Sequence, residues 1–205
     1  MTRSVTSAKS SNRGKAALKP AGKRIRGASL TAPAPKARGV LSFTTSSLDE
    51  KGRGRVKSAS VTRKLSYLDL FRADPLVRVA LIRSGVAAAE AKLVLADLKG
   101  PLAQTLEALD LPTATLNRKA RANARLSPHE SERVVGVAKL IGQVQAMVEA
   151  SGEPEGFSAP DWVADWLREP LRALGGVRPL DLMSTMEGQS VVADTLSRIQ
   201  SGAYA

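Results

Sequence analysis

The sequence predicts an all-α protein, and three observations carry that prediction. Aromatic residues make up only 3% of the 205-residue chain, which is thin for a large barrel or sandwich. The apolar 43% leans on Ala, Leu and Val, the mixture that small helical domains use. From about Tyr67 to Ala205, helical spacing broken by Gly and Pro continues without a convincing alternating strand. Composition also removes whole classes of chemistry. The chain has no cysteine, which excludes disulfides, Cys-ligated zinc, iron–sulfur clusters and thiol nucleophiles. With His129 as the sole histidine, a His-rich metal site is excluded as well. No cofactor and no metal is expected. No apolar run approaches the roughly 18 to 20 residues that cross a bilayer, and Met1 to Lys23 lacks the apolar segment of a secretory signal. A soluble, cytoplasmic protein without a membrane partner is expected.

The formal net charge of +12 is concentrated at one end. Residues 1–64 hold 16 Lys+Arg against only Asp49 and Glu50, whereas residues 65–205 hold 15 bases and 17 acids. The first segment is rich in Ser, Thr, Gly, Ala and Pro, carries Phe43 as its one aromatic, and shows no sustained period of 2 or 3.6. It reads as a disordered basic arm spanning 1–64, because such a chain buries too little apolar surface to offset its ordering entropy. Clusters such as Lys23-Arg24-Ile25-Arg26 and Arg53-Gly54-Arg55-Val56-Lys57 suit sequence-independent neutralisation of nucleic-acid phosphates. A solvated tail and an organelle transit peptide have the same composition.

The helices follow in order. Asp74-Pro75 opens one that Gly85 closes, and Ala87 to Leu98 forms the next, with Leu93, Leu95 and Leu98 among strong helix formers. Pro101 suits the first helical position of a third, in which Leu102, Leu106 and Leu109 make one stripe. A tight turn, Asp110-Leu111-Pro112, leads to a short helix from Thr113 to about Ala122. Two short helices joined this way have the outline of a helix-turn-helix, whose second helix would offer Thr113, Ala114, Asn117, Arg118 and Arg121 to a major groove. An ordinary pair of bundle helices shares that outline.

Ser127-Pro128-His129-Glu130 then combines a capping hydroxyl, a proline at the first helical position and a glutamate able to reach back to the cap amide. The helix it starts runs to about Ala150. Val134, Val137, Ile141, Val144 and Val148 keep to a single seam, which either joins two subunits or faces the chain's own core. Ser158-Ala159-Pro160-Asp161 repeats the cap-then-proline signal, and its helix carries Trp162 and Trp166 on one face, as core or as interface anchors. Pro170 ends that helix, Gly175-Gly176 supplies a turn suited to positive φ, and Pro179 opens a short helix with Leu180, Leu182 and Met183. Thr185 suits the cap of a last helix, with Val192, Leu196 and Ile199 as its stripe and Gly202 as its end.

The run Trp166-Leu-Arg-Glu-Pro-Leu-Arg-Ala-Leu-Gly-Gly-Val-Arg-Pro-Leu-Asp-Leu-Met183, then Thr185-Met-Glu-Gly188 and Leu196-Ser-Arg-Ile-Gln-Ser-Gly-Ala-Tyr-Ala205, resembles the toxin-binding domain of the Xre/MbcA/ParS antitoxin family. Thr115-Leu116 and Leu126 to Arg133 resemble the family's link between its Xre-like helix-turn-helix and the next helix, so the similarity covers roughly residues 75–205. It implies a helical helix-turn-helix region over 65–150 and a C-terminal toxin-binding domain over 151–205. It also implies an antitoxin of a type II pair, without enzymatic activity, whose partner is a RES-domain toxin that destroys NAD or uses it for ADP-ribosylation. Operator DNA and a second antitoxin copy in a homodimer are further implied partners.

Carried onto this chain, the toxin contacts are Trp166, Arg168, Pro170, Leu174, Gly175 and Gly176 around the turn, with Arg198, Tyr204 and Ala205 near the end. Among these, Leu174, Gly175 and Gly176, together with Pro179, are expected to shape the fold. Arg198, Tyr204 and the terminal carboxylate are expected to meet the toxin. The DNA contacts are Thr113, Thr115, Asn117, Arg118, Lys119, Arg121 and Arg125. Relatives usually have Gly in the helix-turn-helix turn where this chain has Asp110, a residue type that tolerates the left-handed region. Where they often have a Ser cap and an Arg-rich second helix, it has Pro112, Thr113 and Ala114. A stand-alone DNA-binding regulator or nucleoid-associated protein without a toxin partner is the competing reading. An enzyme is disfavoured, because no Ser/His/Asp arrangement, metal cluster or Walker-type loop occurs.

Overall fold

The computed structural model describes residues 40–46, 60–152 and 156–200. Two strands, β1 (Leu41–Ser46) and β2 (Ser60–Leu65), pair antiparallel with Leu41 opposite Leu65 and Ser46 opposite Ser60. Among the described residues the helices are α1 (Tyr67–Arg72), α2 (Pro75–Ser84), α3 (Ala88–Asp97), α4 (Leu102–Ala108), α5 (Thr113–Arg121), α6 (Pro128–Ser151), α7 (Ala159–Arg168), α8 (Pro179–Leu182) and α9 (Met186–Gln200). A 3-10 turn, Arg172–Leu174, lies between α7 and α8. The protein is therefore predominantly helical, as expected.

The strands fall inside the segment expected to be a structureless arm, and the reason is long-range. Leu41 is buried, and the Ser42 N–H donates to Glu90 Oε2 on α3 at 3.0 Å while its hydroxyl bonds Glu90 Oε1. β1 packs on α2 and α3. Six-residue runs rich in Thr, Ser and Val gain order only on such a platform, since strand preference depends on what the strand packs against. The rest of the expected arm, including both basic clusters, lies outside the described residues.

Helix α6 organises the remainder. The Ser127 hydroxyl accepts from the Glu130 N–H at 3.3 Å and the Ser127 N–H donates to Glu130 Oε2 at 2.6 Å, with Pro128 in the first turn. This is the expected capping box. Gly152, in the left-handed region, ends the helix. Val134, Val137, Ile141 and Val144 are all buried, and Val148 packs at the margin. Helices α1, α2, α3, α7 and α9 all touch α6. The seam is thus filled by the chain's own helices and is not left for a second subunit.

Helix α1 is not among the helices that the spacing predicts. Ser66 caps it in a second capping box with Asp69, and it crosses α6 where Gly142 has no side chain. A Cβ there would stand 2.0 Å from the Tyr67 carbonyl oxygen. The Tyr67 hydroxyl donates to Asp97 Oδ2 at 2.7 Å and so joins α1 to α3. Burial, with that bond, pushes the phenol well above its ordinary pKa.

Other differences are local. Of the three leucines of α3 and its end, Leu93 is 48% exposed, while Leu95 and Leu98 are buried. Ile199 is 40% exposed beyond the stripe of Val192 and Leu196. Ser158 precedes α7 without a side-chain cap bond; burial of Ala159, Pro160, Val163 and Leu167 holds that helix instead.

Replacing Gly142 with Ala tests the crossing by sign. Helix propensity alone gives a gain of about 1 kcal/mol, whereas overpacking against α1 costs about 1–3 kcal/mol or more. We expect a net loss in urea unfolding of the full chain.

Candidate functional site

Two surfaces collect the residues singled out from the sequence. The first is built on α4, the Leu109–Pro112 turn and α5. Leu106, Leu109, Leu111 and Leu116 are buried, which fixes both short helices to the core. Asp110 sits at φ +49, so the left-handed residue of the turn is an aspartate. Pro112 occupies the position before α5 without a side-chain cap bond, and Thr113 begins the helix rather than capping it.

The outer face of α5 bears an open cavity of about 570 Å³ lined by Ala114, Asn117, Arg118, Arg121 and Ala122. Four of the expected groove-facing residues, Ala114, Asn117, Arg118 and Arg121, thus converge, with Thr113 exposed and Thr115 half-buried beside them. Asn117 Oδ1 accepts from Lys92 Nζ at 2.9 Å, leaving its amide N–H groups free of that contact. Lys119 and Arg125 are differently employed. Lys119 forms an ion pair with Glu130, and Arg125 Nη1 donates to the Gly85 carbonyl at 2.6 Å. Both are among the expected DNA contacts, and here they tie α5 and the following turn to α6 and α2. Burial acts to raise the Glu130 pKa, but the bonds from Lys119 and Ser127 outweigh it and hold the carboxyl below its ordinary value.

The second surface follows α7. Trp162 and Trp166 stack with ring centroids 5.8 Å apart and planes 13° from parallel. Trp166 is only 8% exposed, so it belongs to the core. Arg168 is structural too: Nη1 donates to the Ala164 carbonyl at 2.6 Å and Nη2 to Thr105 Oγ1 at 3.1 Å, linking α7 to α4. Beyond Arg168 the chain turns outward. Pro170, Gly175 and Gly176 are exposed and Leu174 is half-buried. Gly175 and Gly176 adopt φ +67 and +86 with no atom within 4 Å of an added Cβ, so backbone conformation and not space demands glycine. The turn is closed by Gly176 N–H to Leu171 O at 2.9 Å and Leu171 N–H to Val177 O at 3.2 Å.

Arg172 and Val177 are exposed on the same turn, and Arg178 holds Asp181 through two bonds of 2.9 and 2.7 Å. Arg172, Val177 and Arg178 occupy unconstrained positions between the motif residues, so the motif carries no signal for them. Arg198 is exposed on α9, and Tyr204 and Ala205 lie outside the described residues. Among the described residues no group of three or more His, Asp or Glu is placed to hold a metal ion, and no helix is long and apolar enough to cross a membrane.

Comparison with known proteins agrees with this two-part layout. Residues 77–139 match the model of the antitoxin Xre-like helix-turn-helix domain, and residues 155–202 match that of the antitoxin Xre/MbcA/ParS C-terminal toxin-binding domain. The chain is 52% identical over 144 residues to the Prs ADP-ribosylating antitoxin of Sphingobium sp. (strain YBL2), covering 70% of this chain and 91% of that protein. It belongs to the Xre/MbcA/ParS antitoxin family. A more distant relative, antitoxin Xre of Yersinia enterocolitica (serotype O:8 / biotype 1B, strain NCTC 13174 / 8081), is 29% identical over 104 residues, 51% of this chain and 65% of that protein. The protein is thus an antitoxin of a toxin–antitoxin system. Both surfaces described above lie within the matched spans of this antitoxin.

Two measurements probe these surfaces. Gly175→Ala and Gly176→Ala should each destabilise by about 1–2 kcal/mol from backbone conformation alone, without changing the helical circular dichroism. Because the folded Glu130 pKa is depressed, the folded state binds fewer protons there than the unfolded state, and its contribution is lost as pH falls through the folded value. A Glu130→Gln variant should therefore lose less stability than the parent between about pH 5 and pH 3, read by thermal unfolding across that range.

Proposed function

We propose that this antitoxin inhibits a toxin of the RES type, one that consumes NAD or transfers ADP-ribose from it, by seating the projecting turn around Gly175 and Gly176 on the toxin. The observation that carries this reading is that the turn is exposed, closed by its own backbone bonds, and located within the span matching the toxin-binding domain. The name of the Sphingobium relative supports ADP-ribosylation as the opposed chemistry. In this reading Pro170, Arg172, Gly175, Gly176 and Val177 make contact, with Arg198, Tyr204 and Ala205 adding contacts from the chain's end. Trp166, Arg168 and Leu174 hold the turn in shape. The antitoxin itself makes and breaks no bonds, and it acts in the cytoplasm.

A second activity rests on the α5 face. Arg118, Arg121 and Asn117 line one cavity open to solvent, an arrangement suited to phosphate and base-edge contacts. Through it a homodimer binds operator DNA and represses its own operon.

Mixing the antitoxin with its toxin should abolish NAD loss or target modification. Val177→Asp, at an exposed position beside the glycine pair, should restore the toxin's activity at least tenfold at equal antitoxin concentration, and deletion of residues 201–205 should restore it in part. Full inhibition by both variants overturns the proposed contact surface. For DNA, Arg118→Ala with Arg121→Ala should lower the slope of log affinity against log salt by about 2, measured on a fragment of the antitoxin's own promoter. A chain that binds this fragment but never associates with a toxin is instead a stand-alone regulator.

A further inference from the structure

The left-handed turn residue of the helix-turn-helix is an aspartate, and one side chain engages both its carbonyl and its carboxylate. Arg133 Nη1 donates to the Asp110 carbonyl oxygen at 2.7 Å, and Arg133 Nη2 pairs with Asp110 Oδ2 at 3.0 Å. The third donor, Nε, reaches the Ser184 carbonyl oxygen at 3.1 Å. Arg133 stands in the second turn of α6, with its side chain 22% exposed. Ser184 lies in the joint between α8 and α9, beside Thr185, whose hydroxyl accepts from the Gly188 N–H at the start of α9.

We infer that Arg133 is a positioning residue for α5: it holds Asp110 in a conformation that an L side chain ordinarily avoids, and it makes that hold depend on the α8–α9 joint. The guanidinium is suited to this because its donors form a fixed planar fork. A glycine at position 110 needs no such support, since without a Cβ the left-handed region costs it nothing extra. Asp110 and Arg133 together therefore do by a long-range interaction what a glycine does locally. The difference is that the interaction extends to the C-terminal module.

Two further contacts show that the link is not isolated. Lys99 Nζ pairs with Asp161 Oδ2 at 2.6 Å just before α4, and Arg168 Nη2 reaches Thr105 in the middle of α4. The helix-turn-helix span and the C-terminal span thus meet through side chains at Lys99, at Thr105 and at Arg133. Only Arg133 also holds Asp110, the left-handed residue that precedes α5.

The inference rests on the DNA-binding reading for its functional readout, so the experiment carries a second readout that does not. In the full chain, Arg133→Ala, Arg133→Lys, Asp110→Gly and the double variant Arg133→Ala/Asp110→Gly are compared by urea unfolding and by binding to a promoter fragment. Arg133→Ala should weaken DNA binding about tenfold and Arg133→Lys by less, since lysine keeps the charge but not the fork. Adding Asp110→Gly to Arg133→Ala should restore DNA binding to within about threefold of the parent and recover stability, whereas Asp110→Gly in the parent should not raise stability by a comparable amount.

If the double variant is no better than Arg133→Ala in either measurement, Arg133 acts elsewhere and the inference fails. If the parent binds no promoter DNA while the stability cycle still shows rescue, the DNA reading fails and the positioning role stands. Should Arg133→Ala not fold, the same comparison is made between Arg133→Lys and Arg133→Lys/Asp110→Gly, and absence of rescue there overturns the inference equally.

Discussion

The packing of this antitoxin depends on how closely α1 can lie against α6. At Gly142 the surface of α6 is bare, and the Tyr67 carbonyl occupies the space where a methyl group would be. Interiors are packed as densely as organic crystals, so this contact allows no small adjustment. From it, Tyr67 reaches across to Asp97 on α3, and α3 in turn supports β1 through Glu90 and α5 through Lys92. Each surface with a proposed partner therefore stands on elements that meet α6 directly or at one remove.

Charge is divided between structure and surface in a way that residue type does not disclose. Of the basic side chains near α5, Lys119 and Arg125 are committed to Glu130 and to the Gly85 carbonyl, while Arg118 and Arg121 face the open cavity. Around α7 the same division appears: Arg168 is spent on Ala164 and Thr105, whereas Arg172 is exposed on the turn. A cation that satisfies a helix-end carbonyl or a buried carboxylate removes an orphaned group from the interior. Its substitution would affect folding before it affected a partner.

Much of the helical architecture was legible in the sequence because its boundaries are chemical. Ser127-Pro128 with Glu130, Asp74-Pro75 with Gly85, and the Gly175-Gly176 pair each specify a backbone geometry locally, and each appears where expected. The seam of α6 was legible as apolar, but what covers it was not, since periodicity cannot distinguish a neighbouring helix of the same chain from a second subunit. The β1–β2 pair has no such local signal, since its order comes from Glu90 far along the chain; α1 does carry one, the Ser66–Asp69 capping box, but it heads a helix of only six residues whose place is set by Asp97 and Gly142. Trp166 and Lys119 illustrate the same limit at the level of the sites. The motif places Trp166 on the toxin-binding domain, and only its burial assigns it to the scaffold.

The turn after α7 has one more consequence. Its shape is present before anything touches it, because two positive-φ glycines and the bonds from Leu171 and Gly176 already define it. A loop that must first be organised loses motional freedom when captured, and this weakens the grip. Here that loss has been taken during folding, so a toxin that docks on this turn, as proposed above, meets an element already in its final form. Such docking would be a rigid-body encounter, with a rate governed by diffusion and orientation and not by rearrangement.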